Sequence, residues 1–332
     1  MSLSHSLLPV FLSLSDPEAS PTHLIVSEPS QLATIIATAR RHSVLPIVWR
    51  KIRERNFFNL IDDPAFASQI KKIDDSLAIA AGQSMLLSHH AKLIARYLQD
   101  TNIPFAIVKG PVFAENLYPF PSDRQFTDID FLVPLDKIDA ANAVLAKTGF
   151  VSTHATDNGR SLVYREYKWL HPANNSILIE LHGDLVHLPR LRQRITFGYT
   201  NLIDASDGSL ATPGAFLITA ILHACCGHKL HNLRLLIDIM QAARKIPRDK
   251  IEQLVLTIRK LNIEFEATTV LDIITCCFHD TQIQALAKSF QSGVSRTVSR
   301  RLLNMRSIID APNRNYNSRV RRDIFRLIQY VK

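Results

Sequence analysis

Cysteine is scarce in this chain. Its four cysteines stand as two adjacent pairs, Cys225-Cys226 and Cys276-Cys277. Adjacent pairs make no disulfide framework, no C-x-x-C motif is present, and this usage fits a reducing cytoplasm. Long apolar runs are missing too. None reaches the 18 or so residues of a membrane helix, and the longest, within Ala215–Cys226, carries His223. The expectation is a cytoplasmic protein with no membrane partner. No charged segment precedes the first apolar stretch, which argues against a secretory signal. Internal repeats and low-complexity tracts are also absent. Acidic residues are outnumbered, 30 against 39 Lys and Arg, for a net charge of +9. That excess attracts polyanions and phosphates. It concentrates in residues 291–332, where Arg296, Arg300, Arg301, Arg306, Arg314, Arg319, Arg321, Arg322 and Arg326 face only Asp310 and Asp323. Such a tail either contacts RNA or forms a solvated helix face, and it lacks the interleaved aromatics that stack bases.

What is present falls into three parts, and 332 residues suffice for two or three domains. Residues 1–100 read as helical. Ser30 has the chemistry of an N-cap before helical apolar spacing, and Asp74–Gln99 reads as one long amphipathic helix. Residues 101–190 read as an α/β core. Within it, Asp136–Thr148 predicts a helix stopped by Gly149, and Phe150–Thr153 a short strand. Ser161–His171 and Ser176–His182 predict paired strands across Pro172-Ala-Asn-Asn175. Residues 191–332 return to helices over Pro213–Cys226, Leu230–Lys245, Asp249–Leu261 and Glu264–Phe278, followed by the basic tail. The chain stops at Tyr330-Val331-Lys332 in an apolar–basic pattern, as a truncated helix would. The fold class expected is α+β: a small mixed β-sheet with helices, flanked by N-terminal and C-terminal helical regions.

The chemistry concentrates in Arg124-Gln-Phe-Thr-Asp-Ile-Asp-Phe-Leu-Val133. Side chains alternate along a strand, so Thr127, Ile129, Phe131 and Val133 share one face and Asp128, Asp130 and Leu132 the other. Two carboxylates on one mostly apolar strand raise each other's pKa unless a cation sits between them. A hard divalent ion such as Mg²⁺ takes such oxygen ligands. In isolation, Asp-x-Asp is equally a strand end with two solvated acids. Upstream, however, the strand Ile103–Val108 runs into Lys109-Gly110, and Pro111 opens a helix. A strand, a Gly turn and a helix N-terminus form a phosphate site, to which Lys109 adds full charge. Downstream, Leu178, Glu180 and His182 share one face of a strand.

This order resembles the nucleotidyltransferase superfamily of DNA polymerase β. It is most similar to a bacterial branch, the uncharacterised nucleotidyltransferase family whose turn reads Lys-Gly. The matching positions are Asn102-Ile-Pro through Lys109-Gly110, Tyr118-Pro119, Arg124, Asp128-Ile-Asp130-Phe-Leu-Val133 and Glu180-Leu-His182. Leu222-His223 through His228, Arg234 and Asp238 resembles the helical segment that follows the core in that family. The resemblance implies that Asp128, Asp130 and Glu180 are catalytic and hold Mg²⁺ or Mn²⁺. It implies that Lys109, Gly110 and Arg124 bind a nucleoside triphosphate such as ATP. The implied reaction moves a nucleoside monophosphate to a small molecule, a protein or RNA. The turn departs from the wider superfamily's Gly-Ser: Lys109-Gly110-Pro111 offers no hydroxyl, and Pro111 no N–H. Phosphate binding must then lean on Lys109 and Arg124.

Other residues admit two readings. His223, Cys226, His228 and His231 suggest metal ligands, but neighbouring cysteines diverge by about 100° on an α-helix, and His223 and His228 are i, i+5. Packed or hydrogen-bonded histidines are the better expectation. Arg234 and Asp238, at i, i+4, either pair along their helix or brace it against the nucleotide site. Glu180 has an edge-strand reading, and His182 that of a residue orienting a carboxylate. Tyr164 and Trp169 fit a core role better than base stacking. Two function classes follow: a metal-dependent nucleotidyltransferase, and a catalytically silent module that senses a nucleotide or partner. The three carboxylates favour the first, and the missing hydroxyl the second.

Overall fold

Strand alternation dictates a sheet with one apolar and one polar face, and a computed structural model of the protein shows it. The structure describes residues 3–20, 28–54, 64–153, 163–202, 212–290, 293–313 and 315–332. Helices α1 (Leu7–Ser15), α2 (Pro29–Arg41), α3 (Leu45–Glu54) and α4 (Pro64–Asp100) precede β1 (Ala106–Val108) and α5 (Gly110–Leu117). Then come β2 (Ile129–Leu132), α6 (Ile138–Lys147), β3 (Val151–Ser152), β4 (Glu166–His171) and β5 (Asn174–His182). The sheet order is β1-β2-β5-β4-β3. Only β2 and β5 pair in parallel; the other neighbours are antiparallel. The α+β class with a small mixed sheet is therefore observed.

The two faces go to different cores. Ile129, Phe131 and Val133 join Tyr167, Trp169, Ile177, Ile179 and Leu181 on the face covered by Leu87, Ala91, Ile94 and Leu98 of α4 and by α6. Each large apolar side chain buried there contributes about 1.5–3 kcal/mol. Leu132 points the other way, into a second core. That core unites α1–α3 with the helices Pro213–Leu222, Leu233–Arg244, Ile251–Lys260 and Glu264–Phe278. The opening helices thus pack with the C-terminal ones, while α4 packs on the sheet. Arg244 ties the two ends together, donating to both oxygens of Asp16 at 2.7 and 2.8 Å.

Several boundaries differ from expectation for local reasons. Helix α2 begins at Pro29, whose missing N–H costs nothing there, so Ser30 lies inside it, and the Glu28 side chain at the cap position makes no capping bond. The long helix starts ten residues before Asp74, at Pro64. The Asp136–Thr148 segment splits into a 3₁₀ turn, Leu135–Lys137, and α6, and Gly149 ends it at φ 88°. The strand within Phe150–Thr153 is only Val151–Ser152. Strand β4 starts at Glu166, after Tyr164, and the expected Ser161-Leu162 start lies outside the described residues. Strand β5 starts at Asn174, so the turn shortens to Pro172-Ala173. The helix expected from Leu230 starts at Leu233, because Lys229 and Leu230 have φ of 51° and 53°; Asn232 then caps the Leu235 N–H at 3.2 Å.

The basic tail is no free arm. Its last helix, Tyr316–Val331, buries Phe325 and Arg326. Arg314 lies outside the described residues. Among the described residues no helix is long and apolar enough to cross a membrane.

Candidate active site

The polar face of the sheet closes against the C-terminal helices around a cavity of about 570 Å³, a size typical of small-ligand sites. Its sheet wall carries Lys109, Asp128, Asp130, Glu166, Lys168 and Glu180; its helical wall carries His223, His228, His231 and Arg234. Register explains the sheet wall. Val108 pairs with Asp130, Asp130 with Glu180, and Glu180 with Lys168, so one row across four strands ends on a single face. Strand β5 is central, so Glu180 is a buried acid of the cavity wall and not an edge residue.

Two carboxylates in direct register repel each other, and the cavity answers with cations. Lys109 Nζ lies 2.6 Å from Asp130 Oδ1. Lys168 bridges Glu166, at 2.7 Å, and Glu180. His182, fully buried, places Nε2 2.9 Å from Asp130 Oδ1 and so orients that carboxylate, as expected. Burial opposes ionisation of Asp130, but Lys109 and His182 outweigh it and hold its pKa well below the usual range. Glu166 is likewise held low against burial, by His187 and Lys168. Asp128 is different. It makes no hydrogen bond or ion pair among the described residues. Burial, and then the charge of Asp130, push its pKa up to about 6.

The Lys109-Gly110 turn is strained in a useful way. Lys109 adopts φ 60° and Gly110 φ 34°, and Lys109 bends back over Asp130. A Cβ on Gly110 would stand 3.3 Å from the Asp128 carbonyl oxygen. Gly110→Ala is therefore expected to cost about 1–2 kcal/mol and to push the Asp128 backbone away. Thermal unfolding with a parallel nucleotide-affinity measurement checks both effects.

Arg124 lines the cavity, but its donors are occupied. Nε and Nη2 donate to both oxygens of Asp238 at 2.9 and 3.1 Å, and Nη1 to the Gly110 carbonyl at 3.2 Å. Tyr118 donates to Asp238 at 2.7 Å. The Asp238 partner is thus Arg124 from across the fold, not Arg234 four residues earlier. Arg124 clamps the backbone of the Lys109-Gly110 turn to the helix Leu233–Arg244.

The helical wall corrects the α-helical spacing argument. His223–Gly227 is a π-turn, closed by His228 N–H donating to the His223 carbonyl at 3.1 Å. The wider turn brings the i, i+5 rings of His223 and His228 within 4.6 Å, edge to face. Burial first, and then His231 and Lys109, lower the His228 pKa to about 3. Arg326 from the tail donates to the Cys225 and Cys226 carbonyls at 3.0 and 2.7 Å, meeting acceptors at this turn. No metal cluster forms from these histidines and cysteines among the described residues. Trp169 is buried and donates to Asn142 at 2.9 Å, in the core role expected.

The donor atoms suit a divalent cation. Asp130, Glu180 and His182 place ligand atoms within 4.8 Å of one another, and Glu166, His182 and His187 do so as a second group. Asp128 lines the same cavity with a carboxylate free of hydrogen bonds and ion pairs, but it belongs to neither group, so the expected set Asp128, Asp130 and Glu180 is brought to one cavity and not to one cluster of ligand atoms. Sequence reasoning missed Glu166, Lys168 and His187. The signal was the alternation of Glu166 and Lys168 on the strand facing Glu180.

Residues 28–279 match the model of a family described as uncharacterised nucleotidyltransferase, and the match spans the turn, the Asp pair, Glu180 and the π-turn. No curated protein matches the chain, and no solved structure does. The chain belongs to the uncharacterised nucleotidyltransferase family.

Proposed function

We propose that the protein is a metal-dependent nucleotidyltransferase. The observation that carries this reading is the convergence of Asp128, Asp130 and Glu180 on one cavity beside the strained Lys109-Gly110 turn. Asp128, Asp130 and Glu180 would hold Mg²⁺ or Mn²⁺. When bound, such an ion neutralises phosphate charge and polarises the phosphoryl oxygens. The protein's own part is positioning. His182 keeps Asp130 in place, Lys109 sets the charge beside the turn, and Arg124 holds Gly110 from behind. In the reaction an acceptor hydroxyl or phosphate oxygen bonds to the α-phosphorus of a nucleoside triphosphate. The bond from that phosphorus to its bridging oxygen breaks, and pyrophosphate leaves with the electron pair. The acceptor's proton passes to a cavity carboxylate or to water.

The silent-module reading rests on Lys109 and Lys168, which already neutralise Asp130 and Glu180 without a metal. Incubating the protein with each α-labelled nucleoside triphosphate, Mg²⁺ or Mn²⁺ and a cell extract separates the two. Label moving to an acceptor, and lost in Asp128→Ala/Asp130→Ala, supports the transferase. Metal-dependent binding with no transfer to any acceptor supports the module.

A further inference from the structure

Charge partners account for nearly every ionised group of the cavity. Lys109 faces Asp130, Lys168 joins Glu166 to Glu180, and Arg124 is clamped by Asp238. Among the described residues two groups stand apart, with opposite signs. Asp128 makes no hydrogen bond or ion pair, although the charges of Lys109 and Arg234 reach it. Arg234 meets no carboxylate: Nη1 donates to the Gln125 carbonyl at 3.1 Å, and Nε is buried without any hydrogen-bond partner. Both residues line the same cavity.

A buried guanidinium donor left without an acceptor is costly until an acceptor arrives to fill it. The planar guanidinium fork matches a phosphate bidentately, which an ammonium cannot do. We propose that Arg234 is the phosphate-binding residue of this cavity, taking a phosphate or pyrophosphate group in the space that Asp128 also lines. Arg124, fully hydrogen-bonded, then acts as the clamp of the turn, and Arg234 supplies the charge expected of it. Arg234 belongs to the helix Leu233–Arg244, so the ligand bridges the sheet and the helical wall. The inference rests on the transferase reading, and the phosphate group belongs either to the nucleotide or to a phosphorylated acceptor.

The test is calorimetric titration of wild type, R234Q and R234K with inorganic pyrophosphate, and separately with a nucleoside triphosphate and Mg²⁺. R234Q is expected to bind about tenfold to a hundredfold more weakly with an unfolding midpoint at or above that of wild type. R234K keeps the charge, loses the fork, and is expected to bind about threefold to tenfold more weakly; it decides the matter if R234Q does not fold. Weakened nucleotide binding assigns the site to the nucleotide's phosphates. Weakened pyrophosphate binding with unchanged nucleotide affinity assigns it to the acceptor. Wild-type affinity for both ligands in the variants overturns the proposal, as does a wild type that binds neither. Nucleotidyl transfer at wild-type kcat/KM in R234Q sinks the Arg234 assignment and leaves the transferase standing. Arg234-dependent pyrophosphate binding without any transfer does the reverse.

Discussion

Asp128→Asn is expected to abolish nucleotide transfer while leaving the fold as stable as wild type, or more so. The reason is its environment. Asp128 has no ion pair to lose among the described residues, and burial and Asp130 raise its pKa from 3.8 to about 6. The sign follows directly. A carboxyl whose folded pKa lies above its unfolded one holds its proton longer in the native state. The metal-free protein therefore loses stability as pH rises through the window from 3.8 to about 6. Near neutral pH the penalty is at most about 3 kcal/mol, less after solvent relaxation. Asparagine removes it. In EDTA, the urea midpoint of the variant should exceed that of wild type at pH 7.5 and approach it at pH 4. Activity should nevertheless fall by about a hundredfold to a thousandfold or more. Asp130→Asn should behave differently, because it strands the buried Lys109 ammonium. Breaking such a pair costs about 3–5 kcal/mol. Equal destabilisation by the two substitutions, or an active Asp128→Asn protein, would contradict the assignment of Asp128 as an open ligand.

The second large effect lies away from the carboxylates. Asp238→Ala should destabilise the protein by about 3–5 kcal/mol. It leaves the buried Arg124 guanidinium without its counter-ion and the buried Tyr118 hydroxyl without its acceptor. Arg124 also holds the Gly110 carbonyl, so the Lys109-Gly110 turn should loosen before the sheet does. Replacing both partners with apolar residues of similar volume, as in Arg124→Met/Asp238→Leu, should recover much of the loss. Chemical unfolding of the single and double variants measures this. A double variant no more stable than Asp238→Ala would mean that the pair is not the source of the effect.

How much was legible in the sequence depends on the range of the interaction. Alternation along a strand is local, and it placed Asp128 and Asp130 opposite Ile129 and Phe131 correctly. The facing of Glu180 and His182 followed from the same rule. The salt bridges of Lys168 depend on the register of β4 against β5, which a turn two residues shorter than expected sets. The π-turn has no periodic signature, so the His223–His228 approach was invisible to helical spacing. Arg124 and Asp238 lie 114 positions apart, and only the packing of the helix Leu233–Arg244 against the Gly110 turn joins them. Of the two readings of Arg234 and Asp238, pairing along the helix rests on the rule that i, i+4 neighbours pair in isolated helices. Here the stronger buried partner from across the fold took Asp238 and left Arg234 to the cavity.

The measurement that bears most directly on the central claim is calorimetric titration of the wild-type protein with nucleoside triphosphates, in Mg²⁺ and again in EDTA. The account predicts binding in Mg²⁺, its loss in EDTA, and its loss in Asp128→Asn despite an intact fold. Nucleotide binding equally tight in EDTA and in Asp128→Asn would contradict the assignment of Asp128, Asp130 and Glu180 as the cation-holding centre of the site.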